Sequence, residues 1–234
     1  MGDQKLQYQL PGGPIFEDAP FETGATAHWP YAGDDGRPST GWHAEFGDVD
    51  NDGRDDLFVA KGNVEQMPSN AMEDPNNLLM QRADGRFEEA GSEAGLASMA
   101  RGRGAVLTDL NLDGLLDIVV VNRNAPMEIF QNATPDTGAW LLVEVSQTGA
   151  NRDAVGAWIE VEAGGVTQHR EITIGGGHVS GWLGSQHFGL GAAEEARVRV
   201  VWPDGEASDW TEVDVNSRLQ LSRTSRPVTP KSRP

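Results

Sequence analysis

The chain has 234 residues, 38% hydrophobic and 23% charged, a balance that predicts a folded globular protein and excludes an intrinsically disordered one. Its formal net charge of −18 disfavours nucleic acid and anionic lipid as partners, because their phosphates would be repelled, and favours cations. With no cysteine there is no disulfide framework, thiol nucleophile or thiolate metal site, and 29 glycines with 13 prolines predict many tight turns and few long helices.

In chain order, the first residues, MGDQKLQYQLPGGP, carry no basic segment followed by an apolar core, so no signal peptide is expected in this sequence. LQYQ reads as a strand, followed by IFEDAPFETG and the incomplete turn GDDGRP at 33–38. WHAEF, a strand, then leads into GDVDNDGRDDL at 47–57, and LFVA follows as a second strand. NLLMQ, the turn ADGRF and the segment RFEEAGSEAG at 86–95 come next. RGAVL, TDLNLDGLLDI at 108–118, IVVV and MEIFQN complete the first half. Runs such as IVVV at 118–121 are far too short to cross a bilayer, so no membrane insertion is expected.

These segments repeat. Asp48, Asp50, Asp52, Gly53 and Asp56 align with Asp109, Asn111, Asp113, Gly114 and Asp117 as D-x-[DN]-x-D-G-x-x-D. IFEDAPFETG echoes RFEEAGSEAG, and LQYQ, NLLMQ and MEIFQN read as equivalent strands. On this reading residues 1 to about 63 form one unit, about 76 to 124 a second, and MEIFQN opens a third that does not complete. Several short strands per repeat, bounded by Gly, Asp and Pro turns, suggest propeller-like blades.

Oxygen ligands at positions 1, 3 and 5 with glycine at position 6 wrap a hard cation in a tight turn. Position 7, Arg54 or Leu115, offers its backbone carbonyl, and position 9, Asp56 or Asp117, closes the ring. Calcium suits such a loop better than magnesium, and without histidine or cysteine ligands zinc and copper do not fit. The expected metal ligands are therefore Asp48, Asp50, Asp52, Arg54 and Asp56, then Asp109, Asn111, Asp113, Leu115 and Asp117, for about two calcium ions per chain. An EF-hand is excluded because position 12 is Val59 or Val120, within a strand-like stretch, where that motif needs a glutamate on a helix. Plain Asp-Gly turns need no ion, as ADGRF and PDGE illustrate, but two copies that keep every ligand position point to ligation.

From Ala139 onward WLLVEV, AWIEVEA, HREITI, ARVRVVW and LQLS read as strands, with a hairpin turning near Gly164 and Gly165. Asn151, Arg152, Asp153, His178, Ser185, Gln186 and His187 stand among glycines and could line a ligand pocket. Turn-fixing and backbone hydrogen bonding is the reading favoured here, and GWLGS at 181–185 is not a nucleophile elbow. The seven tryptophans read as core or hairpin anchors, with Trp42 and Trp182 the two to check for exposure. Asn132-Ala133-Thr134 is a glycosylation sequon in a eukaryotic host.

The loops resemble the calcium loops of FG-GAP/VCBS repeats, blades of integrin-type β-propellers. The stretch from NLLMQRADGRFEEAGSEAGL through GRGAVLTDLNLDGLLDIVVVNRN is similar to the version in the cartilage acidic protein family and its bacterial relatives. NRDAVGAWIEVEAGG, GGGHVSGWLGSQHFGLG and VRVVWPDG resemble the ASPIC/UnbV domain that follows the repeats there. The resemblance implies an all-β protein: partial propeller-like FG-GAP/VCBS repeats over 1–135, a β-sandwich-like ASPIC/UnbV domain over 136–222, and a disordered basic tail over 223–234. Such propellers have about seven blades, so two units and a strand suggest either a piece of a longer chain, with open blade edges available for self-association, or repeats that pack directly on the C-terminal domain. The expected function is a calcium-stabilised, non-catalytic binding or adhesion module, extracellular or periplasmic, for an unknown protein or glycan. The alternative is a carbohydrate-active lyase or hydrolase, or its accessory module, with the repeats as scaffold.

Overall fold

The computed structural model describes residues 5–25, 38–64, 71–178, 181–182 and 184–224. Among them there is no α-helix; sixteen strands form five open sheets, so the chain is all-β. The chain divides into two compact units. The first holds the described residues of Met1–Asp50, Arg54–Pro135 and Gly176–Gly181, and the second those of Asn51–Gly53, Asp136–Gly175 and Trp182–Pro234.

In the first unit β1 (Gln7–Gln9) and β2 (Phe16–Asp18) form a hairpin. β3 (Gly41–Gly47), β4 (Asp56–Lys61), β5 (Asn77–Gln81) and β6 (Phe87–Glu89) make an antiparallel meander. β7 (Gly102–Thr108), β8 (Asp117–Asn122) and β9 (Glu128–Phe130) make a three-stranded one. Every residue of β4 is buried, because both faces of its sheet are covered. Phe58 and Ala60 pack with Ala105, Leu107, Ile118 and Val120 of the next sheet, while Leu57 and Val59 pack with Leu79, Phe87 and Ala25 on the other side. That two-sided burial explains why LFVA is continuously apolar where a one-sided strand would alternate.

Strand pairing moves the repeat boundaries. MEIFQN does not open a third unit: β9 pairs with β8 as the third strand of the second sheet. NLLMQ likewise pairs with LFVA, so the first full sheet runs from Gly41 to Glu89 across the boundary placed near residue 63. A sequence repeat has a period but no phase, and the phase is set by which strands hydrogen-bond. β5 and β9 are equivalent third strands, and β1 matches β5 in pairing with the strand that follows it, as their sequences suggested.

In the second unit β10 (Ala139–Gln147) pairs antiparallel with β13 (Gln186–Gly191) and parallel with β16 (Ser217–Arg223). The other sheet orders β12 (Val166–Glu171), β11 (Trp158–Ala163), β14 (Glu195–Val201) and β15 (Thr211–Asp214). The β11–β12 turn falls on Gly164 and Gly165, both at positive φ (56° and 79°), the conformation a two-residue hairpin requires. One core joins the two sheets: Leu141, Val143 and Phe188 from the first, with Ile159, Val161, Val198 and Val200 from the second. This is sandwich packing. β16 runs through Arg223, whose guanidinium pairs with Asp204 at 2.8 Å, so ordered structure extends one residue into the segment expected as a tail. Residues 225–234 of that tail lie outside the described residues.

Candidate metal centre

Each repeated loop joins the first two strands of a sheet, β3 to β4 and β7 to β8. The two copies share a backbone conformation. Gly53 and Gly114 stand at φ 90° and 89°, as position 6 requires, and Asn51 and Leu112 at position 4 are left-handed at 59° and 64°. Leucine is an uncommon residue in that region, so spacing and not residue preference holds the second loop in shape.

In the first loop Asp48, Asp50 and Asp56 each bring a carboxylate oxygen within 4.8 Å of the others. Asp48 and Asp56 are buried at 2% and 1% exposure, and Asp50 is half-buried. Asp52 is half-buried and is not one of this group. Arg54 donates through Nε to the Gln81 carbonyl at 3.3 Å. An oxygen-only donor set with buried anionic members fits a hard divalent cation such as calcium.

In the second loop the side chains turn onto their own backbone. Asp109 accepts from the N–H of Asp113 at 3.1 Å and of Gly114 at 2.8 Å, and Asp113 accepts from the N–H of Leu115 at 2.9 Å. Asn111 donates to Asp113 Oδ2 at 2.8 Å and accepts from its N–H at 3.2 Å. The amide at position 3 gives the second loop a donor where the first has Asp50, so Asp113 finds a partner without an ion. Asp117 is buried and Leu115 half-buried. Among the described residues only the first loop gathers three carboxylates.

Position 9 has a role that sequence reasoning missed. Asp56 accepts from the N–H of Val49 at 3.0 Å and of Gln81 at 2.8 Å. Asp117 does the same with Leu110 at 3.0 Å and Asn132 at 2.8 Å. Each ties the start of its loop to the end of its sheet's third strand, at Gln81 of β5 and at Asn132, two residues past β9. The signal was present in the aligned third strands, NLLMQ and MEIFQN, which place Gln81 and Asn132 at matching positions.

At the opposite end of β4 lies a buried ion pair that the sequence did not announce. Lys61 Nζ donates to Asp74 Oδ1 at 2.7 Å, and both side chains are fully buried. Burial pushes the Lys61 pKa down, opposed by the charge and hydrogen bond of Asp74. Glu89, hydrogen-bonded by Asn77, has its pKa pushed up by burial, against the Gly91 N–H and the other donors that hold it down. Gly177 lies against the buried His43 ring, where a Cβ would fall 1.7 Å from Nδ1.

The polar residues of the C-terminal half divide. Asn151 holds its turn, donating to the Val155 carbonyl at 2.9 Å and accepting from its N–H at 3.0 Å. His187 is buried on β13, and His178 is exposed, its ring 4.8 Å from that of Trp42. Trp42 and Trp182 are both half-buried. Arg152, Asp153 and Gln186 line a cavity of about 240 Å³ together with Glu144 and Gln220. Ser185 and Gln220 each donate to Glu144 at 2.8 Å and hold its carboxyl below the usual glutamate range, Gln220 more strongly. Glu144 was legible only as the polar member between Val143 and Val145 on an alternating strand.

Comparison with known proteins gives two family matches, an FG-GAP-like repeat over residues 48–120 and an ASPIC and UnbV segment over residues 147–228. Cartilage acidic protein 1 of Mus musculus and of Homo sapiens are each 30% identical over 183 residues, 74% of this chain and 27% of theirs. The Xenopus tropicalis protein of that name is 29% identical over 151 residues, 61% of this chain and 23% of its own. The chain thus spans about a quarter of the length of the curated relatives it matches.

Proposed function

The chain is an FG-GAP-like repeat protein with a C-terminal ASPIC and UnbV segment, and from that premise we propose that it is a calcium-binding, non-catalytic binding or adhesion module of an extracellular or periplasmic protein. The observation that carries the reading is the convergence of Asp48, Asp50 and Asp56 on one point within a repeated loop. Asp52 and the Arg54 carbonyl complete the first site on this reading. Asp109, Asn111, Asp113 and Asp117 with the Leu115 carbonyl form the second. Calcium supplies a double positive charge that relieves the repulsion among the carboxylates. The chain's own contribution is to hold them by glycine turns and by the position 9 hydrogen bonds. Because the folded loop binds the ion and the unfolded chain does not, calcium stabilises the fold by mass action.

No helix among the described residues is long and apolar enough to cross a membrane. The repeat family suggests a protein or glycan as the ligand of the module. Calorimetric counting of calcium, with thermal melts in calcium, magnesium and EGTA, tests the reading. Two ions per chain and a melting temperature raised by calcium are expected, and no binding with no shift overturns it. The cavity beside Glu144 is the one observation that favours an enzyme or carbohydrate-active accessory module instead, and turnover of a polysaccharide that Glu144→Gln abolishes would establish it.

A further inference from the structure

The two repeated loops share one hydrogen-bonded frame. The stem of the first loop meets the second sheet at three places. Glu45 Oε2 accepts the N–H of Leu107 at 3.2 Å. Gly47 abuts Leu107 and Leu116, where a Cβ would fall 2.9 and 2.8 Å from their methyl groups. Val49, at position 2, is buried in one cluster with Leu107, Leu116 and Ile118. Leu107 stands two residues before Asp109 and Leu116 one residue before Asp117, so the first loop rests on the frame that carries the second.

Asn132 joins the two. Its backbone N–H donates to Asp117 Oδ1 at 2.8 Å, and its side-chain amide donates to the Val49 carbonyl at 2.8 Å and the Leu116 carbonyl at 3.2 Å. Asn132 Oδ1 accepts from the N–H and the hydroxyl of Thr134 at 3.0 and 2.7 Å, which fixes the amide in that orientation. Val49 in turn donates its N–H to Asp56 Oδ2, and Leu110 donates to Asp117 Oδ2, both at 3.0 Å. The position 9 carboxylates of the two loops, Asp56 and Asp117, are thus connected through Val49 and Asn132.

Resting on the calcium reading above, we propose that Asn132 is a positioning residue that couples the two sites, so that calcium in the first loop raises the affinity of the second. The first loop leads because, among the described residues, it alone gathers three carboxylates. A cation held by Asp48, Asp50 and Asp56 fixes the backbone between them, Val49 included. Through Val49 it orders Asn132, and the second site no longer bears that ordering cost when it fills. The coupling is reciprocal, so an ion in the second loop strengthens the first by the same factor. Repulsion between the two bound cations opposes it.

Titration calorimetry of the whole chain with calcium, on the wild type, Asp50→Ala, Asn132→Ala and the double variant, tests this. Asp50→Ala disables the first site and is expected to weaken the second by about fivefold or more, the lower end of ordinary coupling. In the Asn132→Ala background the same substitution is expected to leave the second site unchanged. A merely structural role for Asn132 would lower stability but keep the effect of Asp50→Ala intact. Amide hydrogen exchange gives a second readout that needs no change at Asn132. In Asp113→Ala, with the second site disabled, calcium in the first loop is expected to slow exchange at Leu110 and Asn132, whose N–H groups both meet Asp117. Two ions that bind independently, a second site that tightens when the first is removed, or unchanged exchange at those amides overturns the coupling and leaves the calcium reading standing. A chain that takes up no calcium overturns both.

Discussion

Asp56 and Asp50 together allow a structural role to be pulled apart from the proposed metal-binding one. The Asp56 carboxylate is 1% exposed and accepts two backbone N–H groups, from Val49 at 3.0 Å and Gln81 at 2.8 Å. Asp56→Ala leaves both donors buried without that acceptor, at about 1–3 kcal/mol each, so a loss of about 3–5 kcal/mol is expected with no calcium present. For a chain of this size that lowers Tm by roughly 10 °C or more. Asp50 is half-buried at position 3 of the same loop, so Asp50→Ala in EGTA is expected to cost less than Asp56→Ala and to relieve some repulsion. In calcium at a hundredfold excess over Kd, the wild type gains about 2.7 kcal/mol that Asp50→Ala does not. Denaturant unfolding of the wild type and both variants, each in EGTA and in calcium, separates the two terms. Equal losses for Asp50→Ala in the two conditions would refute its role as a ligand. A loss below about 1 kcal/mol for Asp56→Ala in EGTA would refute the hydrogen-bond account.

Three further outcomes are expected. Asp74→Asn strips the counter-charge from the fully buried Lys61 ammonium and should destabilise the first unit by about 3–5 kcal/mol, whereas the double variant Lys61→Met, Asp74→Leu should recover much of that loss in chemical denaturation. The first loop offers four carboxylate ligands against three in the second, so Asp52→Ala should weaken calcium binding more than Asp113→Ala by titration calorimetry. Glu89 has a raised pKa in the fold, so its contribution is fully present below the ordinary glutamate value and is lost as pH rises through the folded one. Melts across that acidic-to-neutral window should fall less steeply for Glu89→Gln than for the wild type.

Much of the molecule was legible in the chain because its physics is local. Glycine at position 6 of each loop needs only its own φ, and the spacing D-x-[DN]-x-D-G sets the turn around it, so both loops appear where the sequence places them. Strand identity was legible too, since β-branched and aromatic runs between Gly and Asp turns have few other outcomes. Family membership followed from the order of motifs, which no single turn carries.

What the tertiary structure alone decided is everything that depends on partners distant in the chain. The phase of the repeats came from β4 pairing with β5 and β8 with β9, which a periodic sequence leaves open. The two loops read alike, yet among the described residues only the first gathers three carboxylates, Asp48, Asp50 and Asp56. Lys61 looks like a surface residue in LFVAKG and is fully buried, paired with Asp74 thirteen residues on in the connection to β5. A sequence states which groups can interact; burial and pairing decide which of them do, since a charge or a backbone donor removed from water must find its partner in three dimensions.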